Sequence, residues 1–308
     1  MSSSLLVVGS LAYDDLELPS GTYENVVGGA TSYTSLCASM LTKVQIVGVV
    51  GEDFDEDFLK NLEGRGIDTQ GVERIAGGKS FRWRGRYAQD LLSRETLDTQ
   101  LNVFASFAPK LPETYRDAQF VLLGNIHPAL QLDVLKQTRA PKLVATDTMN
   151  FWIGGEPKLL GEVLAKTDLL IINDEEARQL SGIDNLLHAA RDIRARGPAR
   201  LIIKRGEFGA ILFDEEGTFM APGLLLDRVL DPTGAGDSFA GGLLGYLAKA
   251  GDVTPRTLRQ ALLVATVFGS FCVEEVGPRR LLTVSKADVA RRIAELHRMM
   301  DAGREIAL

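Results

Sequence analysis

Asp231-Pro232-Thr233-Gly234-Ala235-Gly236-Asp237-Ser238-Phe239-Ala240-Gly241-Gly242 is the stretch on which the reading of this chain turns. Small residues, one proline and two carboxylates stand directly before an apolar run. Pro232 blocks regular structure, Gly234 and Gly236 allow backbone angles closed to other residues, and Leu243, Leu244, Leu247 and Ala248 recur at helical spacing. The pattern predicts a turn that opens a helix near Ala235 or Gly236. A helix mouth leaves backbone N–H groups without internal partners and carries partial positive charge, so an anion finds donors there. Asp237 falls in the first turn, where its carboxylate caps the dipole or takes a proton from an attacking hydroxyl.

Working outward, the 308 residues suit one large α/β sheet with a small appendage. Apolar residues make up 45% and charged residues 24%, the proportions of a globular enzyme rather than a disordered or fibrous chain. A formal charge of -7 argues against nucleic acid or an acidic membrane as partner, because both require a broad basic surface. Neither a basic, apolar leader nor a run of membrane-spanning length is legible, which predicts a cytoplasmic protein. Cys37 and Cys272 lie far apart in apolar helical patterns and read as buried small hydrophobes, and His127, His188 and His297 have no metal-ligand spacing.

Leu5 to Gly9 reads as a first strand, with no G-x-G-x-x-G after it, which disfavours a nicotinamide or flavin enzyme. No P-loop G-x-x-x-x-G-K-[ST] occurs either, so a phosphate site here is of another design. Asp14 follows as a solvated loop acid or a hydroxyl ligand. Gly28-Gly29-Ala30 leads into a small-residue helix, Thr31 to Met40, where the glycines serve either close packing or close approach of a ligand. Val44 to Val50 reads as a strand, with Asp53 as the N-cap of the helix after it. From Val72 to Phe107 the pattern changes to short alternating runs, and in Phe81 to Tyr87 apolar residues interleave with Arg82, Arg84 and Arg86, the mark of a half-exposed strand with one cationic face.

Phe120 to Gly124, Leu143 to Asp147 and Leu169 to Asn173 alternate with helical segments in the rhythm of right-handed β-α-β units. Ligands of such sheets sit beyond the strands' carboxyl ends, where Asp147 and Asn173 fall. Asn173-Asp174-Glu175-Glu176 opens a helix. Leu201 to Lys204, then Gly206 and Gly209, then Ala210 to Phe213 read as strand, tight turn and strand, with Lys204 as a strand-end cation. Leu258 to Phe271 is a long apolar helix ended by Gly277-Pro278, and Lys286 to Met299 a closing amphipathic one.

Together the 231–242 segment, Gly28-Gly29, the stretch from Gly48 to Asp53 with Phe54, Asn173-x-x-Glu176 and Lys204-x-Gly206-x-x-Gly209 resemble, in order and over nearly the whole chain, the ribokinase-like (PfkB) carbohydrate kinase family. The resemblance implies a single domain, a three-layer α-β-α sandwich with a mostly parallel sheet, and a small β lid built from about 12–27 and 79–107. It implies an ATP- and Mg²⁺-dependent kinase of a small sugar, polyol or nucleoside, with inositol among the acceptors; a non-catalytic member of the fold is the competing class. Asp237 would be the base, and the amides of Gly234, Ala235, Gly236 and Asp237 the anion hole. Asp14, Gly28, Gly29, Tyr33 and Asp147 would face the acceptor, and Asn173, Lys204, Gly206, Gly209 and Thr266 the ATP. Glu176 would organise Mg²⁺ through water. Some members hold a monovalent cation such as K⁺ with residues matching Asp231 and Thr233, and lids of relatives often pair into homodimers. Ala12 and Tyr33 depart from the asparagines of ribokinase itself, which leaves the acceptor open.

Overall fold

The protein, seen in a computed structural model, is described at residues 4–301 and 303. Thirteen strands carry it: β1 Ser4–Val8, β2 Ala12–Leu18, β3 Gly21–Gly28, β4 Lys43–Gly51, β5 Ile67–Ile75, β6 Phe81–Tyr87, β7 Arg94–Gln100, β8 Phe120–Leu123, β9 Leu143–Asp147, β10 Leu169–Asn173, β11 Arg200–Lys204, β12 Ala210–Asp214 and β13 Gly217–Ala221. Nine of them form one sheet in the order β13-β12-β11-β10-β9-β8-β1-β4-β5, parallel except for β12 and β13. The continuous apolar runs are explained by helices on both faces. Leu5, Val7, Leu169 and Ile171 point into one core, whereas Leu6 and Val8, or Leu170 and Ile172, point into cores on the other side. Helices Ala30–Ser39, Ala235–Ala250 and Pro255–Cys272 cover the first face, and Pro128–Gln137, Pro157–Leu164, Asp174–Ser181 and Leu186–Ala195 cover the second. The three-layer α/β sandwich is therefore as expected. No helix among the described residues is long and apolar enough to cross a membrane.

A second, mixed sheet runs β3-β2-β6-β7. Its inner face, with Leu16, Leu18, Val26 and Tyr87, closes on Val276, which lies beyond the carboxyl end of helix Pro255–Cys272. On the outer face Glu17 accepts from Arg84 Nη2 and Arg86 Nε, both at 2.7 Å, and Arg82 donates to Asn25 Oδ1 at 2.8 Å. The cationic stripe of β6 is thus spent within its own sheet.

Three local expectations shift. The N-cap of helix Glu56–Gly64 is Asp55, which accepts from the Asp57 and Phe58 amides, while Asp53 Oδ1 accepts from the amide and hydroxyl of Ser80. Asp53 therefore fastens the entry to the small sheet. The alternating region read from Val72 onward begins inside β5, an edge strand of the large sheet, because Val72 pairs with Gly48. At its other end, Asn102–Ser106 forms a short 3₁₀ turn whose Val103 is buried in the main core rather than in the small sheet.

Candidate active site

The order of the large sheet reverses beside β1, which has β4 on one side and β8 on the other. A crevice beyond the carboxyl ends opens at such a point. Asp147, Asn173 and Lys204 are the last residues of β9, β10 and β11 and all face it. The helix Ala235–Ala250 begins there too. Its N-cap, Gly234, has φ of 76°, and a Cβ at that position would stand 2.5 Å from the Tyr33 ring, so both the backbone angle and the floor beneath demand glycine. The next glycine, Gly236, lies against the lysine: a first side-chain carbon there would be 3.0 Å from Lys204 Nζ. Backbone donors and an ammonium thus converge on one point.

Asp237 stands in the first turn, half-buried at the cleft. Burial, then repulsion from Asp147, pushes its carboxyl up to about 7, against the pull of Lys204 and Arg94. Its own carbonyl accepts from Thr34 Oγ1 at 3.1 Å, tying this helix to Ala30–Ser39. Lys204 is 3.8 Å from Asp147 Oδ1. Burial alone would lower the lysine, but Asp147, Glu176 and Asp237 outweigh it and hold the ammonium above its ordinary range. Asp147 is nevertheless raised, because burial outweighs the pull of Lys204, the Thr148 amide and Arg94.

Asn173 and Glu176 cap their helix reciprocally: the Glu176 amide donates to Asn173 Oδ1 and the Asn173 amide to Glu176 Oε2, each at 2.7 Å. The cap and the proposed metal role coexist, since the other carboxylate oxygen of Glu176 is not used by the cap. Burial lifts this acid to about 7 even beside Lys204. A buried group of carboxylates short of positive charge suits Mg²⁺. Among the described residues no cluster of three acids, histidines or cysteines could hold a metal by itself, so waters and phosphate oxygens would complete the shell.

Asp14 lies on the inner face of the small sheet, opposite Trp83. A Cβ at Gly28 would come within 2.0 Å of Asp14 Oδ2, which is why glycine is required there. Burial and the charges of Asp231 and Asp237 raise Asp14 to about 8, so it keeps its proton at neutral pH. Gly29 N-caps the helix that follows.

Not every predicted residue joins this cluster. Tyr33, expected to face an acceptor, is 1% exposed, with its ring under Gly234 and its hydroxyl buried without a partner. It forms the floor beneath the helix mouth. Asp231 is fully buried and accepts from the amides of Thr233 and Gly277, both at 2.9 Å, while Thr233 Oγ1 donates to Tyr87 Oη at 3.0 Å. Both side chains that were candidates for a monovalent cation are therefore engaged in clamping loops. Gly206 and Gly209 form the turn between β11 and β12, at one end of the site, and Thr266 spends its hydroxyl on the Leu262 carbonyl of its own helix. Two cleft residues had no sequence signal of their own: Trp83, hidden in the alternation of β6, and Arg94, in a polar hairpin.

A doubly covered α/β sheet with an acid, a lysine and a glycine-lined helix mouth at one cleft is an arrangement suited to anionic ligands. The comparisons narrow this. Residues 3–284 match the family described as pfkB family carbohydrate kinase, and the chain belongs to it. The chain is 35% identical over 306 residues to the inositol 3-kinase of Arabidopsis thaliana (94% of this chain, 80% of that one). It is 29% identical over 249 residues to the cytidine kinase of Thermococcus kodakarensis (79% and 88%). Among solved structures, ribokinase from Cryptococcus neoformans var. grubii in complex with ADP has the same fold, with a TM-score of 0.78 at 22% identity over 94% of this chain and 100% of that one. The protein is accordingly a sugar or nucleoside kinase of the ribokinase family.

Proposed function

We propose that the protein transfers the γ-phosphoryl group of ATP to a hydroxyl of a small sugar or polyol. The observation that carries this is Asp237, poised near neutrality in the first turn of a helix that opens at Gly234 and Gly236, with Lys204 beside it. As the acceptor oxygen bonds to the γ-phosphorus, its proton passes to the Asp237 carboxylate and the bond from that phosphorus to the β,γ-bridging oxygen breaks, releasing ADP. The N–H groups of Gly234, Ala235, Gly236 and Asp237 receive the equatorial oxygens, which become more demanding acceptors in the transition state. Lys204 steadies the same group from the donor side, and Asn173, Gly206, Gly209 and Thr266 border the nucleotide.

Glu176 and Asn173 would hold Mg²⁺ through water, and the ion supplies charge neutralisation of the triphosphate. Asp14, raised by burial as Asp237 is, would bind acceptor hydroxyls, with Gly28, Gly29 and Asp147 around them, while Asp237 takes the proton. The small sheet acts as the lid over the acceptor.

The test incubates purified protein with ATP, Mg²⁺ and pentoses, hexoses, inositols or nucleosides, follows ADP release and locates the new phosphoester by ³¹P NMR. Absence of acceptor-dependent ADP from the whole panel would overturn the reading. A nucleoside acceptor is the second reading, favoured by the Trp83 ring opposite Asp14 and by the cytidine kinase relative; a lower KM for cytidine or inosine than for any free sugar would select it.

A further inference from the structure

One charged side chain at the cleft has no part in the chemistry above. Arg94 opens β7 directly across from Tyr87. Cross-strand partners share a face, and Tyr87 is on the inner one, where its hydroxyl accepts from Thr233 beside the anion hole. On that same face the Arg94 guanidinium carbon lies 5.7 Å from the centre of the Trp83 ring, and Trp83 is the neighbour of Asp14 across β2 and β6. The arginines of β6 are committed elsewhere: Arg84 and Arg86 to Glu17, Arg82 to Asn25. Among the described residues no carboxylate comes within ion-pair distance of Arg94; its side chain is exposed and hydrogen-bonds the Tyr87 hydroxyl.

The charge of Arg94 nonetheless bears on both halves of the site. It favours the anionic form of Asp14 on the acceptor side and of Asp237, Asp147 and Glu176 towards the donor, and it opposes the charge of Lys204. A cation felt on both banks is carried on the inner face of the small sheet, beside Tyr87 and Trp83, and that face is fastened at Thr233, one residue before the glycine that opens the helix.

Resting on the kinase reading, we propose that Arg94 is a lid-borne catalytic residue whose guanidinium grips the phosphoryl group in flight. A planar fork fits two phosphoryl oxygens at once, and the Trp83 ring 5.7 Å away, with the Tyr87 hydroxyl, restrains that fork beforehand. Three positive elements then surround the migrating group: the helix amides from below, Lys204 from the donor side and Arg94 from above. Because the arginine rides on the small sheet, transfer is completed only when that sheet is seated through Tyr87 on Thr233. An open cleft that holds ATP alone lacks one of the three, which limits wasteful transfer to water.

The experiment compares Arg94→Ala and Arg94→Lys with Arg84→Ala, a control on the outer face. In steady state Arg94→Ala lowers kcat about 10²-fold, the scale of losing one preorganised donor, with acceptor KM within about threefold. Arg94→Lys recovers part of the loss, and Arg84→Ala matches the wild type. The acid limb of kcat/KM moves to higher pH in Arg94→Ala, since Asp237 loses a cation. Independently of turnover, calorimetry with ADP, Mg²⁺ and aluminium fluoride shows Arg94→Ala binding this mimic about 10²-fold more weakly than the wild type while binding ADP alone equally. Wild-type kcat in Arg94→Ala, an effect confined to acceptor KM, an equal fall in Arg84→Ala, or unchanged binding of the mimic would each overturn the assignment of Arg94 and leave the kinase reading standing. If the wild type itself binds the mimic no better than ADP, both fail together.

Discussion

Replacing Asp237 with asparagine should make the protein more stable and nearly inactive at once. The acid is raised from 3.8 to about 7 in the folded chain, chiefly by burial. About three pH units correspond to roughly 4 kcal/mol as a ceiling on what it costs to keep the side chain ionised in the fold. Because the folded value is the higher one, that cost is borne in full above pH 7 and fades as pH falls from 7 towards 4, where folded and unfolded chains are both protonated. Half-burial and sharing of charge with Lys204 reduce the ceiling, so Asp237→Asn gains about 1–3 kcal/mol at pH 8, a rise in Tm of about 2–8 °C, and nothing at pH 4. Lys204 keeps Asp147 and Glu176 as partners, so the substitution strands no cation.

Turnover moves the other way. Loss of a positioned base lowers kcat on the order of 10²–10⁴-fold, and in the wild type the anionic fraction at pH 5 is about one-hundredth of its value at pH 9. Calorimetric melting at both pH values and a coupled ADP assay from pH 5 to 9 measure the two halves. Turnover within tenfold of the wild type, or a melting shift equal at pH 4 and pH 8, would refute the reasoning.

Gly234→Ala combines a left-handed backbone with a methyl group against the Tyr33 ring and should cost about 3 kcal/mol or more in urea unfolding, whereas Gly64→Ala, whose Cβ meets nothing, should stay within about 0.5 kcal/mol of the wild type. Lys204→Met removes the cation that favours ionised Asp237, so the acid limb of kcat/KM should move to higher pH and kcat/KM for ATP should fall about 10²-fold. Tyr87→Phe deletes the acceptor for Thr233 Oγ1, and deuterium uptake across residues 81–100 should rise by about fivefold, in step with roughly 1 kcal/mol of lost anchoring.

How much of this was legible from the chain alone follows from where information is stored. The strands β9 and β10 were bounded to the residue, because runs buried on both faces end abruptly at polar groups that line a cleft. The start of helix Ala235–Ala250 was equally clear, since proline and glycine speak through local backbone angles. Asp53 was misread because Asp53 and Asp55 are equally plausible caps by sequence, and only the position of Ser80, far along the chain, decides between them. The placement of Tyr33 was hidden for a related reason: its neighbour in space is Gly234, and nothing near position 33 announces a ring slid beneath a distant backbone. Arg94 was invisible, as its meaning depends on strand register in a hairpin and on which face Tyr87 takes. Local chemistry is written locally; convergence of distant segments is not.

The helices Ala30–Ser39 and Ala235–Ala250 meet along Gly241 and Gly245, where a Cβ would stand 2.4 Å from the Thr34 carbonyl oxygen or 2.9 Å from the Ala38 Cα. With main chain lying on main chain, and Thr34 bonded to the carbonyl of Asp237, the two rods have no cushion of side chains on which to slide. They behave as a single anvil. Whatever hinge the molecule possesses must lie in the strands that hang from it, and a redesign that widens the acceptor pocket can work on the hanging part while the anvil is left untouched.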